Sequence, residues 1–150
     1  MNYSIRKALL SDLEELHQVV EKAYRGKKKG WTSEEHIING HRIQKEDLEK
    51  LVGDNNGKLH IFVLEETVEG KKHLRGSIKI DFEEGKREAE FGMFAVDPEH
   101  QSKGFGGGLL RFAEDYARNK LGATLFNIWV IDERFFICFS SILELKSVFQ

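Results

Sequence analysis

The alternation of apolar and polar side chains along this chain predicts a sheet with helices packed against it. Alternating or continuously apolar stretches predict strands at residues 3–8, 58–64, 74–82, 88–96 and 124–131. Apolar residues at helical spacing predict amphipathic helices over residues 11–24 and 106–120, with shorter helices after Thr32 and over residues 46–52. The resulting order β-α-α-β-β-β-α-β indicates an α/β (α+β) fold with a central twisted mixed sheet flanked by helices. The type of the apolar segment 135–148 stays open.

Composition narrows the class of protein. The chain has 150 residues, of which 40% are apolar and 32% charged, so residues 1–150 suit a single domain with a substantial core. Its 23 Lys+Arg against 25 Asp+Glu give a formal net charge of -2, which argues against a nucleic-acid partner. The apolar stretches are shorter than the ~18–20 residues of a membrane span, so we expect no membrane partner. With one cysteine, Cys138, a reducing cytoplasmic location is expected.

The stretch from Gln101 to Gly108 has the composition of an anion site. It follows a predicted strand that ends at Asp97-Pro98, places four glycines among residues 104–108, and opens directly into a predicted helix. Glycines allow positive φ and close backbone approach, and the free N–H groups of a helix start attract phosphate. The alternative is that the glycines serve only a tight turn and close packing. Neither the P-loop nor the dinucleotide fingerprint fits, because Leu109 stands where each pattern needs another residue.

Residues 101–106, Gln-Ser-Lys-Gly-Phe-Gly, match the pattern Gln-x-x-Gly-x-Gly, and with residues 94–98 before them they resemble motif A of the GNAT superfamily of acetyl-CoA-dependent N-acetyltransferases. The resemblance covers about residues 1–132 and implies the acyl-CoA N-acyltransferase fold, with acetyl-CoA as co-substrate. It implies that backbone N–H groups of the turn hold the CoA pyrophosphate and that the strand before it meets the pantetheine amides. The cofactor-binding residues so implied are Phe94, Ala95, Val96, Gln101, Ser102, Lys103, Gly104, Phe105, Gly106 and Gly107.

Glu90 is the candidate general base for acetyl transfer to an amine. By strand alternation it shares a face with Glu88, Gly92, Phe94 and Val96. It also stands where the histone-acetyltransferase branch of the resembled family keeps its base, four positions before Phe94. The alternative is a solvated carboxylate paired with Lys79 or Arg75.

The C-terminal part, residues 133–150, departs from the resembled pattern. No tyrosine follows Tyr116, although many members place a proton-donating tyrosine after the fifth strand. The final strand pair of the family is also expected to be missing, which would leave the fifth strand without a neighbour. The apolar run that begins at Phe135 then predicts a homodimer in which the partner covers this segment. The alternative is a helix that folds back onto the sheet.

The acceptor side carries less information. The loop between the first two helices would cover the acceptor in the resembled fold, which makes Trp31 and Glu34 candidates for an amine pocket, or else a packing anchor and a helix cap. The histidines show no metal-ligand spacing, so no metal is predicted. The sequence thus predicts acetyl transfer to a primary amine of a small molecule or of a peptide or protein. The alternatives are a CoA-binding protein without catalysis and an interaction domain, and the sequence does not name the acceptor.

Overall fold

The computed structural model describes residues 2–25, 44–54, 57–130 and 135–139. Its strands are β1 (Tyr3–Lys7), β2 (Leu59–Val68), β3 (Lys71–Glu83), β4 (Glu88–Val96), β5 (Leu125–Val130) and β6 (Phe135–Phe139). Its α-helices are α1 (Leu13–Arg25), α2 (Lys45–Gly53) and α3 (Phe105–Tyr116). These elements confirm the predicted strands and the predicted helices at 11–24, 46–52 and 106–120. The helix predicted after Thr32 lies outside the described residues.

The sheet has the order β1-β2-β3-β4-β5-β6 and is mixed. Neighbouring strands are antiparallel except for β4 and β5, which run parallel. A parallel pair needs a crossover, and α3 lies between these two strands in the chain. The hairpin between β2 and β3 turns at Glu69 and Gly70, whose positive φ values of 51° and 79° suit a two-residue turn.

The sheet separates two cores. One face packs against α3, and its central residues include Phe91, Phe105 and Phe126. The other face packs against α1 and α2, and its central residues include Leu16 and Leu48. Among the described helices, none has the length and apolar character to cross a membrane.

A β-bulge interrupts β4 and changes which residues share a face. The register with β3 passes from Lys79↔Gly92 to Ser77↔Ala95, so β4 gains a residue there, and Met93 adopts φ 46°. The buried Ser77 hydroxyl donates a hydrogen bond to the Met93 carbonyl oxygen at 2.8 Å. A bulge of this kind reverses the alternation of side chains beyond it.

The predicted face of β4 is therefore wrong beyond Gly92. Phe94 and Val96 pack on the α3 side with Phe91, whereas Met93 and Ala95 pack against α1 and α2. Glu90 precedes the bulge and alternates with Phe91, so it lies on the α1 side and does not share a face with Phe94.

The end of the sheet corrects a second expectation. The fifth strand does have a neighbour, because β6 pairs with β5 in antiparallel register from Phe126↔Phe139 to Val130↔Phe135. The apolar run that begins at Phe135 thus supplies a sixth strand. Residues 140–150 lie outside the described part of the chain.

Candidate active site

The parallel strands β4 and β5 part in the middle of the sheet. Their register runs from Glu88↔Leu125 to Phe91↔Ile128, and within the described residues no pair follows, although β4 continues to Val96 and β5 to Val130. We call this region the β4–β5 opening. The bulge at Gly92 and Met93 lies where it begins, and Glu90 lies one residue before the last pair.

The glycine turn places the start of α3 beside the end of β4. Gly104 has φ 82°, a left-handed conformation that favours glycine, and no side chain caps the helix there. The Gly108 N–H donates to the Gly104 carbonyl at 3.1 Å. The N–H groups of residues 105–107 precede this bond and have no acceptor within the helix.

The other glycines of the turn permit close packing. A Cβ at Gly106 would lie 3.4 Å from Phe94 Cζ, and one at Gly108 would lie 2.6 Å from the Tyr3 hydroxyl oxygen. A Cβ at Gly107 would lie 3.3 Å from a terminal nitrogen of Arg111, so the guanidinium of Arg111 lies close over this turn. The turn therefore fits both the packing and the anion-site interpretation. Gly108 allows close packing, and the first turn of α3 presents N–H groups beside the positive side chain of Arg111.

A buried ion network holds the segment that leads into this turn. Asp97 is 5% exposed; its carboxylate accepts the Glu99 N–H at 3.0 Å and lies 3.5 Å from Lys22 Nζ. The Asp97 N–H donates to the Arg75 carbonyl at 2.7 Å. Residues 98–103 then form 3-10 turns that begin at Pro98. Asp97 thus fixes where the strand ends and the turn begins.

Arg75 connects both ends of that segment. Its Nε donates to Glu66 at 2.8 Å, and its guanidinium lies 4.0 Å from Asp97. Glu66 also lies 3.4 Å from the ammonium of Lys103, within the turn. Hydrogen bonding to Arg75 lowers the pKa of Glu66, which keeps this carboxylate ionised. The Arg75–Glu66 pair is therefore a bridge from the sheet to the glycine turn.

Asp97, Glu99 and His100 bring ligand atoms within 4.8 Å of one another, a grouping that could be considered for a metal. Burial lowers the pKa of His100, and the positive charge of Arg75 lowers it further. The Asp97 carboxylate already accepts a backbone N–H and lies beside two cationic side chains. Two cationic side chains, Lys22 and Arg75, therefore lie beside the Asp97 carboxylate of this grouping.

The α1-side face around Glu90 is polar. Glu90 is half-buried and lies in register with Asp81 of β3 and with Asn127 of β5. Lys79 lies on the same face, because its Cε is 3.3 Å from the position of a Cβ at Gly92. Arg75, which the alternative interpretation considered as a partner of Glu90, donates a hydrogen bond to Glu66.

The structure thus brings the predicted cofactor residues together around one end of β4. Phe94 and Val96 lie beneath Gly106, Ala95 lies next to the bulge, and the backbone of Gln101 and Ser102 lies in the 3-10 turns. Trp31 and Glu34 lie outside the described residues. The sequence prediction missed Asn127, Arg75 and Asp97. A polar residue inside the apolar strand Leu125–Val130 was the available signal for Asn127.

Comparison with solved structures shows similar folds in spermidine N-acetyltransferases. A chimera of SpeG from Vibrio cholerae and hSSAT has 24% identity and a TM-score of 0.63, over 85% of this chain and 70% of that chain. A SpeG mutant from Vibrio cholerae has 25% identity and a TM-score of 0.61, over 85% and 69%. SpeG in complex with manganese ions has 22% identity and a TM-score of 0.59, over 85% and 67%. Comparison with curated protein sequences found no significant match.

A mixed sheet whose parallel strands part beside a glycine-capped helix is the architecture of the acyl-CoA-dependent N-acyltransferases. Within that class, the chain belongs to the acetyltransferase (GNAT) family, whose model matches residues 13–134. It is therefore an N-acetyltransferase, and acetyl-CoA is the co-substrate of its family. The resemblance that the glycine turn indicated is confirmed.

Proposed function

We propose that the protein transfers the acetyl group of acetyl-CoA to a primary amine in the β4–β5 opening, with Glu90 as general base. One observation carries this proposal. The β4–β5 opening, the start of α3 and the half-buried carboxylate of Glu90 lie close together in one sheet of the family's type. The acceptor is a small molecule or a peptide or protein amine.

The residues around the turn suit acetyl-CoA. The pyrophosphate would accept hydrogen bonds from the N–H groups of residues 105–107, at the positive end of the α3 dipole. Arg111 over Gly107 adds a further positive charge on this side. The backbone of Phe94, Ala95 and Val96, beyond the last β4–β5 pair, would bind the two pantetheine amides as a strand edge binds a peptide.

The reaction requires an amine with a free lone pair. Glu90 takes a proton from the acceptor ammonium, directly or through one water, and the neutral amine attacks the thioester carbonyl carbon. The C–N bond forms, the C–S bond breaks, and the electron pair leaves on sulfur. The second amine proton is lost to solvent, and the thiolate takes a proton from solvent.

A second candidate is a protein that binds CoA without transferring the acetyl group. One sequence observation favours it: the chain has no tyrosine after Tyr116 that would protonate the thiolate. The residues Trp31 and Glu34 remain proposals for the acceptor pocket, and a homodimer through the segment after β5 remains a proposal as well.

The experiment that tests the proposed function measures CoA thiol release from acetyl-CoA with a panel of primary amines, together with the mass of the product. We expect amine-dependent thiol release that matches the acetylated amine formed. Binding of acetyl-CoA without release across the panel, at alkaline pH as well, would favour the second candidate. No binding of acetyl-CoA at all would contradict both.

A further inference from the structure

Lys79 of β3 lies over the start of the β4–β5 opening. It is in register with Gly92, the first β4 residue beyond the last β4–β5 pair within the described residues. Its neighbours Ile78 and Ile80 are buried in the α3-side core, so Lys79 projects from the α1-side face. Gly92 has no side chain, and the position of a Cβ there is 3.3 Å from Lys79 Cε and 3.8 Å from Lys79 Nζ. The ammonium therefore lies close to the β4 backbone where the two strands part.

The charge of Lys79 is available to a ligand. Its side chain is half-buried, so it is neither sequestered in the core nor fully surrounded by solvent. Asp81 follows two residues along the same strand and shares its face. Within the described part of the chain, however, the Lys79 Nζ forms neither an ion pair nor a hydrogen bond. An ammonium has three donors and no acceptor, so this group suits an anion that forms in the opening.

The direction of acetyl-CoA along β4 brings its sulfur to this point. The start of α3 lies beside the far end of the strand, because a Cβ at Gly106 would lie 3.4 Å from Phe94 Cζ and 3.7 Å from Val96 Cγ2. With the pyrophosphate at the start of α3 and the pantetheine amides paired with residues 94–96, the acetyl end extends back along β4 toward Gly92. The thioester then lies next to the Lys79 ammonium.

The reaction leaves a negative charge at that place. When the C–S bond breaks, its electron pair stays on sulfur as a thiolate. No tyrosine follows Tyr116 in this chain, so the hydroxyl that many members of the family place after the fifth strand has no counterpart in the sequence. A cation that faces the developing charge stabilises it, and an N–H donor can also supply the proton.

We propose that Lys79 is a catalytic residue that protonates the CoA thiolate, an inference that rests on the proposed acetyl transfer. As the C–S bond breaks, the Lys79 ammonium gives one proton to sulfur, and the CoA thiol and a neutral lysine amine are formed. The lysine amine then regains a proton from solvent. Lys79 thus delivers to the thiolate the proton that solvent would otherwise supply directly.

The first test removes the ammonium and keeps the apolar stem over Gly92. The variant is Lys79→Met, and its matched control is Lys72→Met, which removes the same charge from an exposed position at the start of β3. With acetyl-CoA and an amine that the wild-type protein acetylates, we expect kcat to fall about a hundredfold in Lys79→Met alone, the effect of a lost general acid. The KM for acetyl-CoA should be unchanged. Wild-type kcat in Lys79→Met would overturn the proposal.

A change of leaving group separates proton donation from a structural role. In acetyl-seleno-CoA, selenium replaces the thioester sulfur, and a selenolate leaves without protonation because selenols are much stronger acids than thiols. We expect Lys79→Met to be close to the wild-type protein with this donor, since no general acid is required. A loss of kcat that is equal for the two donors would show general damage to the site and would overturn the proposal.

A binding measurement tests the contact without any acceptor amine. An ammonium beside the sulfur lowers the pKa of the thiol of bound CoA, because opposite charge favours the thiolate. Ultraviolet difference absorbance should show this thiol ionising at a pH at least about one unit lower in the wild-type protein and in Lys72→Met than in Lys79→Met. Equal titration in all three proteins would overturn the proposal. The expected difference in a protein that acetylates no amine would overturn the proposed acetyl transfer and leave Lys79 as a residue that binds the CoA sulfur.

Discussion

At position 90 a carboxylate lies two residues before the β4–β5 opening, in register with the buried Asn127. Glu90 is half-buried, shares its face with Asp81 and Asn127, and is separated by the bulge from the face of Phe94. In the role proposed for it, Glu90 would act from the side of the sheet where α1 and α2 pack, rather than from the α3 side. In the proposed complex the amine lies on the α1 side of the opening, whereas the pantetheine amides pair with the edge of β4 in the plane of the sheet.

The substitution Glu90→Gln tests the base directly. We expect turnover to fall about a hundredfold at neutral pH while acetyl-CoA affinity is unchanged, because the amide cannot accept the proton. The loss should shrink as the pH rises, since more of the amine is already neutral in solution. The measurement is kcat from about pH 6 to 9, with Glu49→Gln as control. Wild-type kinetics across this range would show that Glu90 is a surface carboxylate.

At the scale of elements, the sequence pattern predicted a strand or helix correctly where local residues alone define where it begins and ends. The bounds of β4 were predicted correctly because its apolar residues and Pro98 define both ends. The bulge was not predictable, since it depends on the Ser77–Met93 hydrogen bond and on positive φ at a methionine. The strand β6 was also missed, because an apolar run of mixed residues fits a helix or a strand equally well.

Gly104 in the glycine turn can be compared with Gly122, which has the same backbone conformation outside the turn. Gly104 and Gly122 have φ values of 82° and 81°, and a Cβ at either would meet nothing within 4 Å. Valine at either position should therefore lower stability by a similar amount, about 1–2 kcal/mol. We expect only Gly104→Val to weaken acetyl-CoA binding, at least about tenfold, because its side chain enters the anion site.

Calorimetric titration with acetyl-CoA and the melting temperature of each variant check this expectation. A loss of affinity that is equal in Gly104→Val and Gly122→Val would indicate general destabilisation. If a folded Gly104→Val protein binds acetyl-CoA with unchanged affinity, the glycine turn is not part of the cofactor site.

In the whole molecule, the two faces of the sheet carry different candidate residues. The α3 side carries the glycine turn, Arg111 and the large aromatic core, whereas the α1 side carries Glu90 with Asp81 and Asn127 beside it. The sequence predicted the first side because glycines at a helix start form a short local motif. On the second side it predicted Glu90 but not its neighbours Asp81 and Asn127, because these three residues are brought together only by strand register. The homodimer predicted from the apolar C-terminal segment stays a prediction.

The most direct test of the central claim is hydrogen exchange with and without saturating acetyl-CoA. We predict slower exchange, by at least about tenfold, at the N–H groups of residues 105–107, which have no acceptor within the helix. Exchange in α2 should be unchanged, because that helix packs on the face of the sheet opposite to α3. Unchanged exchange at residues 105–107 with acetyl-CoA bound, or protection confined to another part of the chain, would contradict binding of the pyrophosphate at the glycine turn.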